Sequence, residues 1–201
     1  LWLGIGEVFD CRSREMALML KANQHPVTRE NAALSQPYYC RHDFAHLRRG
    51  EVKLFLKAYY NQLTALQDRE TYTFWEHYYG VSQHKTHEEA WFLMQTRWML
   101  YMEDGSRLDL FKGIPRQWLT PGRRIELDGV KSYFGALRVT AQAEHDAITC
   151  AFESERPIAE VRVRLPHPDE RRAVACVGGH YDPATETVSV KGRRFSIRLT
   201  F

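Results

Sequence analysis

The sequence predicts an α+β protein, with helices in residues 1–105 and an antiparallel β-sandwich in residues 106–201. Apolar residues recur at helical spacing up to about residue 105, and short alternating runs separated by turn signals follow. The 201 residues are 44% apolar and 26% charged, a composition that excludes a disordered or collagen-like chain. Basic and acidic residues are interspersed and no apolar run could span a membrane, so neither a nucleic-acid nor a membrane partner is predicted.

Two helices and a long connection are predicted before residue 70. The first helix covers about residues 6–22 and must end before Pro26, which disfavours the helical conformation in the preceding residue. Residues 23–50 are expected to hold at most a turn or two of helix. The second helix, over about residues 51–68, carries apolar residues on one stripe, so that face is predicted to be buried.

The third helix is predicted to begin at Thr86, whose hydroxyl would cap the amide of Glu89 while the Glu89 side chain reaches back. The sequence of residues 90–102, AWFLMQTRWMLYM, is apolar around most of a helix, which is typical of burial inside a larger helical assembly. Three helices cannot bury such a helix. The opening residues LWLGIGEVFD contain neither Met nor a signal peptide, so the chain is predicted to be the C-terminal piece of a longer protein, with a mature, processed protein as the alternative.

Alternation of apolar and polar residues predicts short strands in the second part. These cover about residues 107–111, 123–127, 133–143, 147–152, 159–165, 173–177, 187–190 and 193–201. Trp118, in the segment joining the two parts, is expected to be buried rather than to bind a ligand. The arginines of the strands are expected to lie on solvated faces: Arg162, Arg164, Arg171, Arg172, Arg193, Arg194 and Arg198.

The densest group of reactive side chains lies in residues 73–88, between the second and third helices. Aromatic rings beside a carboxylate suit a carbohydrate, because the apolar face of a sugar stacks on Trp or Tyr while polar groups bond its hydroxyls. A carboxylate there can also act as a general base on water. Composition alone leaves open an aromatic loop that packs on its own core.

The order of these residues resembles the end of an (α/α)6-barrel glycoside hydrolase of the six-hairpin kind, most nearly the α-L-rhamnosidase-like group. There a Thr-x-Trp-Glu stretch follows an outer helix, and a Ser-x-x-His-type stretch leads into the last inner helix. The corresponding residues here are 73–76 (TFWE) and 82–84 (SQH), with Thr86 and His87. A β-sandwich also follows the barrel in that group. The resemblance implies that the helices are the C-terminal part of an α/α toroid and the strands its appended sandwich.

The resemblance also implies roles for individual residues in an inverting hydrolysis of a plant or bacterial glycan. Glu76 would be the general base, and Trp75 would shape the sugar subsite. His77, His84 and His87 would contribute to substrate binding, and the pattern leaves open which of the last two matches the family's histidine. Inversion needs a second carboxyl group as general acid, which in that group comes from an earlier part of the barrel, or here from a neighbouring subunit. Enzymes of this group are often periplasmic or secreted.

Several alternatives bear on this interpretation. His84, His87 and Glu88 do not form an H-E-x-x-H motif, so no metal and no cofactor is predicted. A second polar and aromatic cluster is assigned a structural role; it consists of Tyr38, Tyr39, Arg41, His42 and Asp43. The main rival from another class is a non-catalytic carbohydrate-binding or assembly module, in which the aromatic loop binds sugar and no bond is broken.

Overall fold

A computed structural model describes residues 8–24, 42–76 and 84–201. Four α-helices precede eight strands in these ranges, so the predicted α+β class is confirmed. The helices are α1 (Arg14–Gln24), α2 (His42–Arg49), α3 (Val52–Leu66) and α4 (Thr86–Leu100). The chain divides into two compact units, Leu1–Trp98 and Met99–Phe201, which we call the helical unit and the strand unit.

Helix α1 begins later than predicted. Residues 8–13 form turns and bends, and the Ser13 hydroxyl accepts a hydrogen bond from the Met16 amide at 3.2 Å. This is the usual N-cap arrangement, so Ser13, and not a residue near Gly6, determines where the helix starts. Met16 and Leu20 are one turn apart and buried, which gives the helix its core-facing side.

Helix α2 lies in the predicted long connection, of which residues 25–41 are outside the described part. It spans two turns, as that connection was expected to allow, and ends at Gly50. Gly50 has a φ of +80°, and its amide donates to the Leu47 carbonyl while the Glu51 amide donates to the His46 carbonyl. These two bonds form a Schellman motif, which needs a left-handed residue and therefore favours glycine.

Helix α3 is close to its predicted range, and its apolar stripe is buried. Phe55, Tyr59 and Leu66 have exposed fractions of 6% or less. Gln62 lies on the same buried face with no exposed surface, which the apolar pattern did not predict. Polar side chains in such positions need hydrogen-bond partners, and Gln62 finds one in α4.

Helix α4 begins at Thr86 as predicted, but the cap differs: the Glu89 amide donates to the Lys85 carbonyl, 3.1 Å away, rather than to the Thr86 hydroxyl. The helix ends at Leu100 rather than near Met102, because Tyr101 starts a strand. Two neighbours cover it. Tyr59 of α3 stacks on its Phe92, and Phe44 of α2 contacts its Trp98.

The face of α4 that points away from α2 and α3 carries Leu93 and Met94, whose exposed fractions are 69% and 37%. Part of this apolar helix is therefore exposed in the described structure. The buried face, in contrast, is formed by Glu88, Gln95 and Met99.

The eight strands belong to one hydrogen-bonded sheet. They are β1 (Tyr101–Asp104), β2 (Arg107–Leu110), β3 (Arg124–Ser132), β4 (Gly135–Ala143), β5 (Ala147–Arg164), β6 (Ala175–Val177), β7 (His180–Asp182) and β8 (Thr187–Thr200). Neighbouring strands follow the order β1-β2-β5-β4-β3, and β8 pairs with β5, β6 and β7. Within residues 99–201, every pairing is antiparallel except β2 with β5, so the purely antiparallel prediction is wrong for that pair.

Two of the predicted breaks between strands are absent. Strand β5 runs through residues 153–158, where the sequence predicted a gap, and β8 runs through residues 191–192. The pairing of β5 with β8 shifts register between Glu153 and Ile158 and again before Val161. Such β-bulges interrupt the alternation of side chains without ending a strand, which is why the sequence pattern predicted two strands in place of β5.

Candidate functional site

The segment that carries Trp75 and Glu76 is fixed to the end of α3. The Trp75 amide donates to the Leu66 carbonyl at 2.8 Å, and the Asp68 amide donates to the Thr73 carbonyl at 2.9 Å. The Asp68 carboxylate accepts the amides of Thr71 and Glu70, and these hydrogen bonds lower its pKa below the usual value. These hydrogen bonds close the turn and join residues 73 and 75 to the end of α3.

Glu76 forms an ion pair with Lys85, at 2.8 Å between its Oε2 and the ammonium nitrogen. The two side chains keep exposed fractions of 23% and 30%, so the pair is reachable from solvent. The Lys85 amide also donates to the Phe74 carbonyl at 3.1 Å. The beginning and the end of the 77–83 connection are thus held together; His77, an expected substrate-binding residue, lies outside the described residues.

Trp75 is half-buried, and its neighbour Phe74 anchors the segment in the core. Phe74 is 4% exposed and its ring lies 5.0 Å from that of Phe92 in α4. Phe74 therefore faces the helices, whereas Trp75 and Glu76 each keep part of their side chain exposed. This arrangement suits an aromatic platform beside a carboxylate.

The two remaining candidate histidines occupy different environments. His84 is exposed and has a φ of +60°, a left-handed conformation that is uncommon for a side chain larger than glycine. His87, in the first turn of α4, has a side chain 38% exposed, with Nε2 3.6 Å from Oε1 of Glu88. The structure therefore associates His87 with a carboxylate and leaves His84 at the surface.

Glu88 is a buried carboxylate that the sequence did not single out as a separate feature. Its side chain has no exposed surface, and its Oε2 accepts a hydrogen bond from the Gln62 side-chain amide at 3.1 Å. The first turn of a helix favours a negative charge, which offsets part of the cost of burying it. Because it is enclosed, Glu88 cannot touch a substrate in this conformation.

The second polar cluster is buried in the helical unit. Tyr38, Tyr39 and Arg41 lie outside the described residues, whereas His42 and Asp43 begin α2 and are 7% and 3% exposed. The Asp43 Oδ2 accepts the Trp91 indole N–H at 3.1 Å and the Gln95 amide at 2.7 Å. The structural role predicted for Asp43 agrees with these bonds, which tie α2 to α4.

Two histidines of α2 have pKa values shifted by burial. Burial, with a smaller contribution from the charge of His46, lowers the pKa of His42 to about 4. Burial also lowers the pKa of His46 and outweighs the opposing effect of the hydrogen bond that its Nδ1 donates to Glu51 Oε2, 2.6 Å away. Both His42 ring nitrogens are buried without a hydrogen-bond partner in the described part of the chain.

The strand unit contains a buried ion cluster that sequence reasoning missed. Arg116 donates to both carboxylate oxygens of Glu186, at 2.7 and 2.8 Å, and Arg164 lies 3.4 Å from the same carboxylate. Arg164 is only 8% exposed, so the expectation that it lies on a solvated face is wrong. In residues 161–165 (VRVRL), the alternation of buried and exposed side chains stops at Arg164, because this side chain turns inward to Glu186 and to the Ile114 carbonyl.

The described residues contain no group of three or more potential ligands that could hold a metal ion. Nor does any helix within the described ranges combine the length and apolar character needed to cross a membrane. The described residues of the 73–88 region include a partly exposed carboxylate, Glu76, which is paired with Lys85 and follows Trp75 in the sequence. Such a carboxylate can accept a proton from water.

No protein-family model, curated protein or solved structure matches this chain.

Proposed function

We propose that this chain is the C-terminal portion of an inverting glycoside hydrolase and that Glu76 is its general base. The observation that carries the proposal is the Glu76–Lys85 ion pair, because it fixes a partly exposed carboxylate at the entrance to α4. The resemblance of residues 73–76 and 82–87 to six-hairpin glycosidases supplies the reaction class. Trp75 provides a stacking surface for the sugar, and His84 or His87 bonds a hydroxyl.

In this mechanism, Glu76 removes a proton from a water molecule while the water oxygen attacks the anomeric carbon. The bond to the leaving group breaks on the opposite face, and a general acid donates a proton to the departing oxygen. Inverting enzymes separate the two carboxyl groups by roughly 6.5 to 9.5 Å to leave space for the water. Lys85 keeps the Glu76 carboxylate in position for this step.

The general acid must come from residues other than the two buried carboxylates described above. Glu88 has no exposed surface and Asp43 is committed to Trp91 and Gln95. The proposal therefore assigns the acid to a part of the barrel preceding these residues, or to a neighbouring subunit.

The strand unit is proposed to close over itself as a β-sandwich. Strand β5 pairs with β4 through its first half and with β2 through its second half, while β8 follows it along both. The same face of β5 stays buried along its length. Cys150 and Phe152 are buried before the bulges, and Val161 and Val163 are buried after them. A long sheet with one buried face can bury it by folding across such bulges.

The test of the proposed base is Glu76→Gln in the complete enzyme, assayed on a panel of aryl glycosides including the α-L-rhamnoside. We expect the hydrolysis rate to fall at least about a hundredfold with an unchanged melting temperature. Glu89→Gln, a half-buried carboxyl in the first turn of α4, is the matched control and should keep the rate.

Chemical rescue separates a base from a structural carboxylate. Glu76→Ala should be inactive, and azide should restore glycosyl transfer by attacking the anomeric carbon in place of water. An unchanged rate in Glu76→Gln, or a loss of stability that accounts for the loss of activity, would refute the assignment.

The second candidate function is a non-catalytic carbohydrate-binding module. It is favoured by the enclosure of Glu88 and Asp43, which excludes both carboxylates as acid partners of Glu76. The measurement that discriminates is binding of an oligosaccharide panel by calorimetry alongside product analysis. Binding that weakens in Trp75→Ala, with no hydrolysis in the complete protein, would favour the module.

A further inference from the structure

A groove on the strand unit has the composition of a carbohydrate site and lies outside the 73–88 region. Its volume is about 490 Å³, within the range of small-ligand sites. The apolar part of its lining comes from Leu100, Trp118, Ile125 and Leu127, and the polar part from Gln117, Arg123, Arg124 and Glu126. The groove thus combines an aromatic and aliphatic surface with one amide, two guanidinium groups and one carboxylate, and that carboxylate is paired with Arg124.

The fold holds Trp118 in the groove rather than in the core. It lies in the short 3-10 helix Arg116–Leu119, where Leu119 is 1% exposed and anchors the helix, while Trp118 stays half-buried. Trp118 is therefore half-buried rather than buried as the sequence analysis expected. An indole face that is partly open beside polar groups is a stacking surface for a sugar ring.

Arg123 is positioned by its backbone and keeps an uncommitted charge. Its amide donates to the Thr120 carbonyl at 2.9 Å, and its carbonyl accepts the Ala143 amide at 3.0 Å. Among the described residues, the exposed guanidinium has no carboxylate partner, whereas neighbouring Arg124 is paired with Glu126 at 3.0 Å. A guanidinium free to bind an incoming carboxylate in a bidentate manner favours an acidic ligand.

The groove is also accessible along one side. Strand β3, which provides Ile125 and Leu127, is the last strand in the order β1-β2-β5-β4-β3 and pairs only with β4 among the described strands. A chain of linked sugars could therefore extend past the groove along the sheet edge.

We propose that this groove binds an acidic, uronate-containing oligosaccharide, with one sugar stacked on Trp118 and a carboxylate bound by Arg123. The choice of a glycan as the ligand class rests on the proposed function; the preference for an acidic one rests on Arg123. The groove would act as an accessory site that retains substrate, separate from the residues proposed to break the glycosidic bond.

The experiment is isothermal titration calorimetry of the full chain with two probes, a trigalacturonate and the uncharged galactotriose of the same linkage. We expect the charged probe to bind more tightly and its affinity to fall with added salt. Arg123→Gln should remove at least a tenfold preference for the charged probe, and Trp118→Ala should weaken both probes at least tenfold. Arg156→Gln, an exposed arginine of β5 that does not line the groove, is the matched control and should change neither.

Folding of the variants is checked by circular dichroism, and Arg123 is exposed, so its replacement tests the site even if Trp118→Ala destabilises the unit. Absence of binding, equal affinity for the two probes, or an unchanged preference in Arg123→Gln would overturn the proposal. Glu76→Gln should leave both affinities unchanged. If Glu76→Gln abolishes hydrolysis and the groove variants leave binding unchanged, this site is refuted and the hydrolase proposal stands. If the groove variants weaken binding as expected and Glu76→Gln leaves hydrolysis unchanged, the hydrolase assignment is refuted and the groove site stands.

Discussion

Among the described residues, polar side chains make up a larger share of the interior in the helical unit than in the strand unit. The helical unit buries six of them, beside an apolar core that includes Phe55 and Leu66: His42, Asp43, His46, Gln62, Glu88 and Gln95. The larger interior of the strand unit buries five: Asp109, Ser154, Arg164, His167 and Glu186. The face of the sheet is instead lined by aliphatic and aromatic residues, including Leu137, Val139, Phe152, Val163, Ile197 and Leu199. The buried charges of the strand unit are gathered in ion pairs such as Arg164 with Glu186.

The two interiors also differ in how well their polar atoms are satisfied. In the strand unit, Asp109 bonds Arg107 and Lys112, and Ser154 bonds backbone carbonyls. In the helical unit, the described partners leave the ring nitrogens of His42 and the Oε1 atoms of Gln62 and Gln95 unbonded. Buried polar atoms need water or another polar group, since leaving them bare costs about 1–3 kcal/mol each. Among the described residues, these atoms of the helical interior therefore need water or a further polar partner, as does the Tyr181 hydroxyl in the strand unit.

The largest test of this comparison is Glu186→Gln. Neutralising Glu186 leaves the buried Arg164 without its counter-charge, and breaking a buried pair of this kind costs about 3–5 kcal/mol. We expect urea unfolding of the strand unit to show a decrease of that size. Glu160→Gln, which removes an exposed pair with Arg162, is the control and should cost no more than about 1 kcal/mol. Equal effects in the two variants would show that the buried cluster is not held by charge.

The second test uses the buried histidine of α2. The unfolded chain protonates His42 near pH 6.5, whereas burial lowers the pKa in the folded state to about 4. The free energy of unfolding is therefore unaffected by His42 above pH 6.5 and falls by about 3 kcal/mol as the pH drops to about 4. Unfolding of the helical unit followed by circular dichroism across this range should show the decrease.

Substitution isolates the contribution of His42 from that of His46, which changes stability in the same direction. His42→Leu should flatten the pH dependence by the amount assigned to His42, while His180→Gln, at an exposed position in β7, should leave it unchanged. An identical pH dependence in His42→Leu and the unsubstituted chain would contradict the assignment.

The smallest expected difference, between two glycine variants, concerns how closely the sheet is packed. Gly178 has a φ of +92°, and a Cβ added there would overlap the carbonyl oxygen of Ser196 in β8. Gly129 also has a positive φ, +66°, but a Cβ there would meet no atom within 4 Å. Gly129→Ala should cost about 1–2 kcal/mol for conformation alone, and Gly178→Ala should cost about 1–3 kcal/mol more because of the overlap. Equal urea midpoints would show that β8 can move aside.

Sequence patterns predicted elements best where the signal is local. The start of α4 at Thr86 and the buried stripe of α3 follow from residues within a few turns. The predicted start of α1 was wrong because the apolar spacing continues to the N-terminal side of Ser13, whose hydroxyl caps the helix. The continuity of β5 was missed because two bulges imitate a loop in the alternation.

In the candidate site, too, the local features were predicted and the contacts between distant residues were not. Trp75 and Glu76 were found because aromatic and acidic residues are adjacent in the chain, and their roles remain predictions. The ion pair of Glu76 with Lys85 crosses nine positions, and nothing in the spacing of the two residues indicated it. The pairing of Arg116 with Glu186 crosses 70 positions and was equally invisible.

The sequence by itself determined that helices precede strands, which helix faces are apolar, and which segment concentrates reactive side chains. Periodicity, caps and turn residues act over a few positions, so they can be read from the chain alone. Only the tertiary structure decided that Glu88 and Asp43 are enclosed, that Arg164 turns inward and that Trp118 lines an open groove. Burial and charge pairing depend on which distant residues come together, because the free energy of a charged or polar group depends on the dielectric and the partners around it.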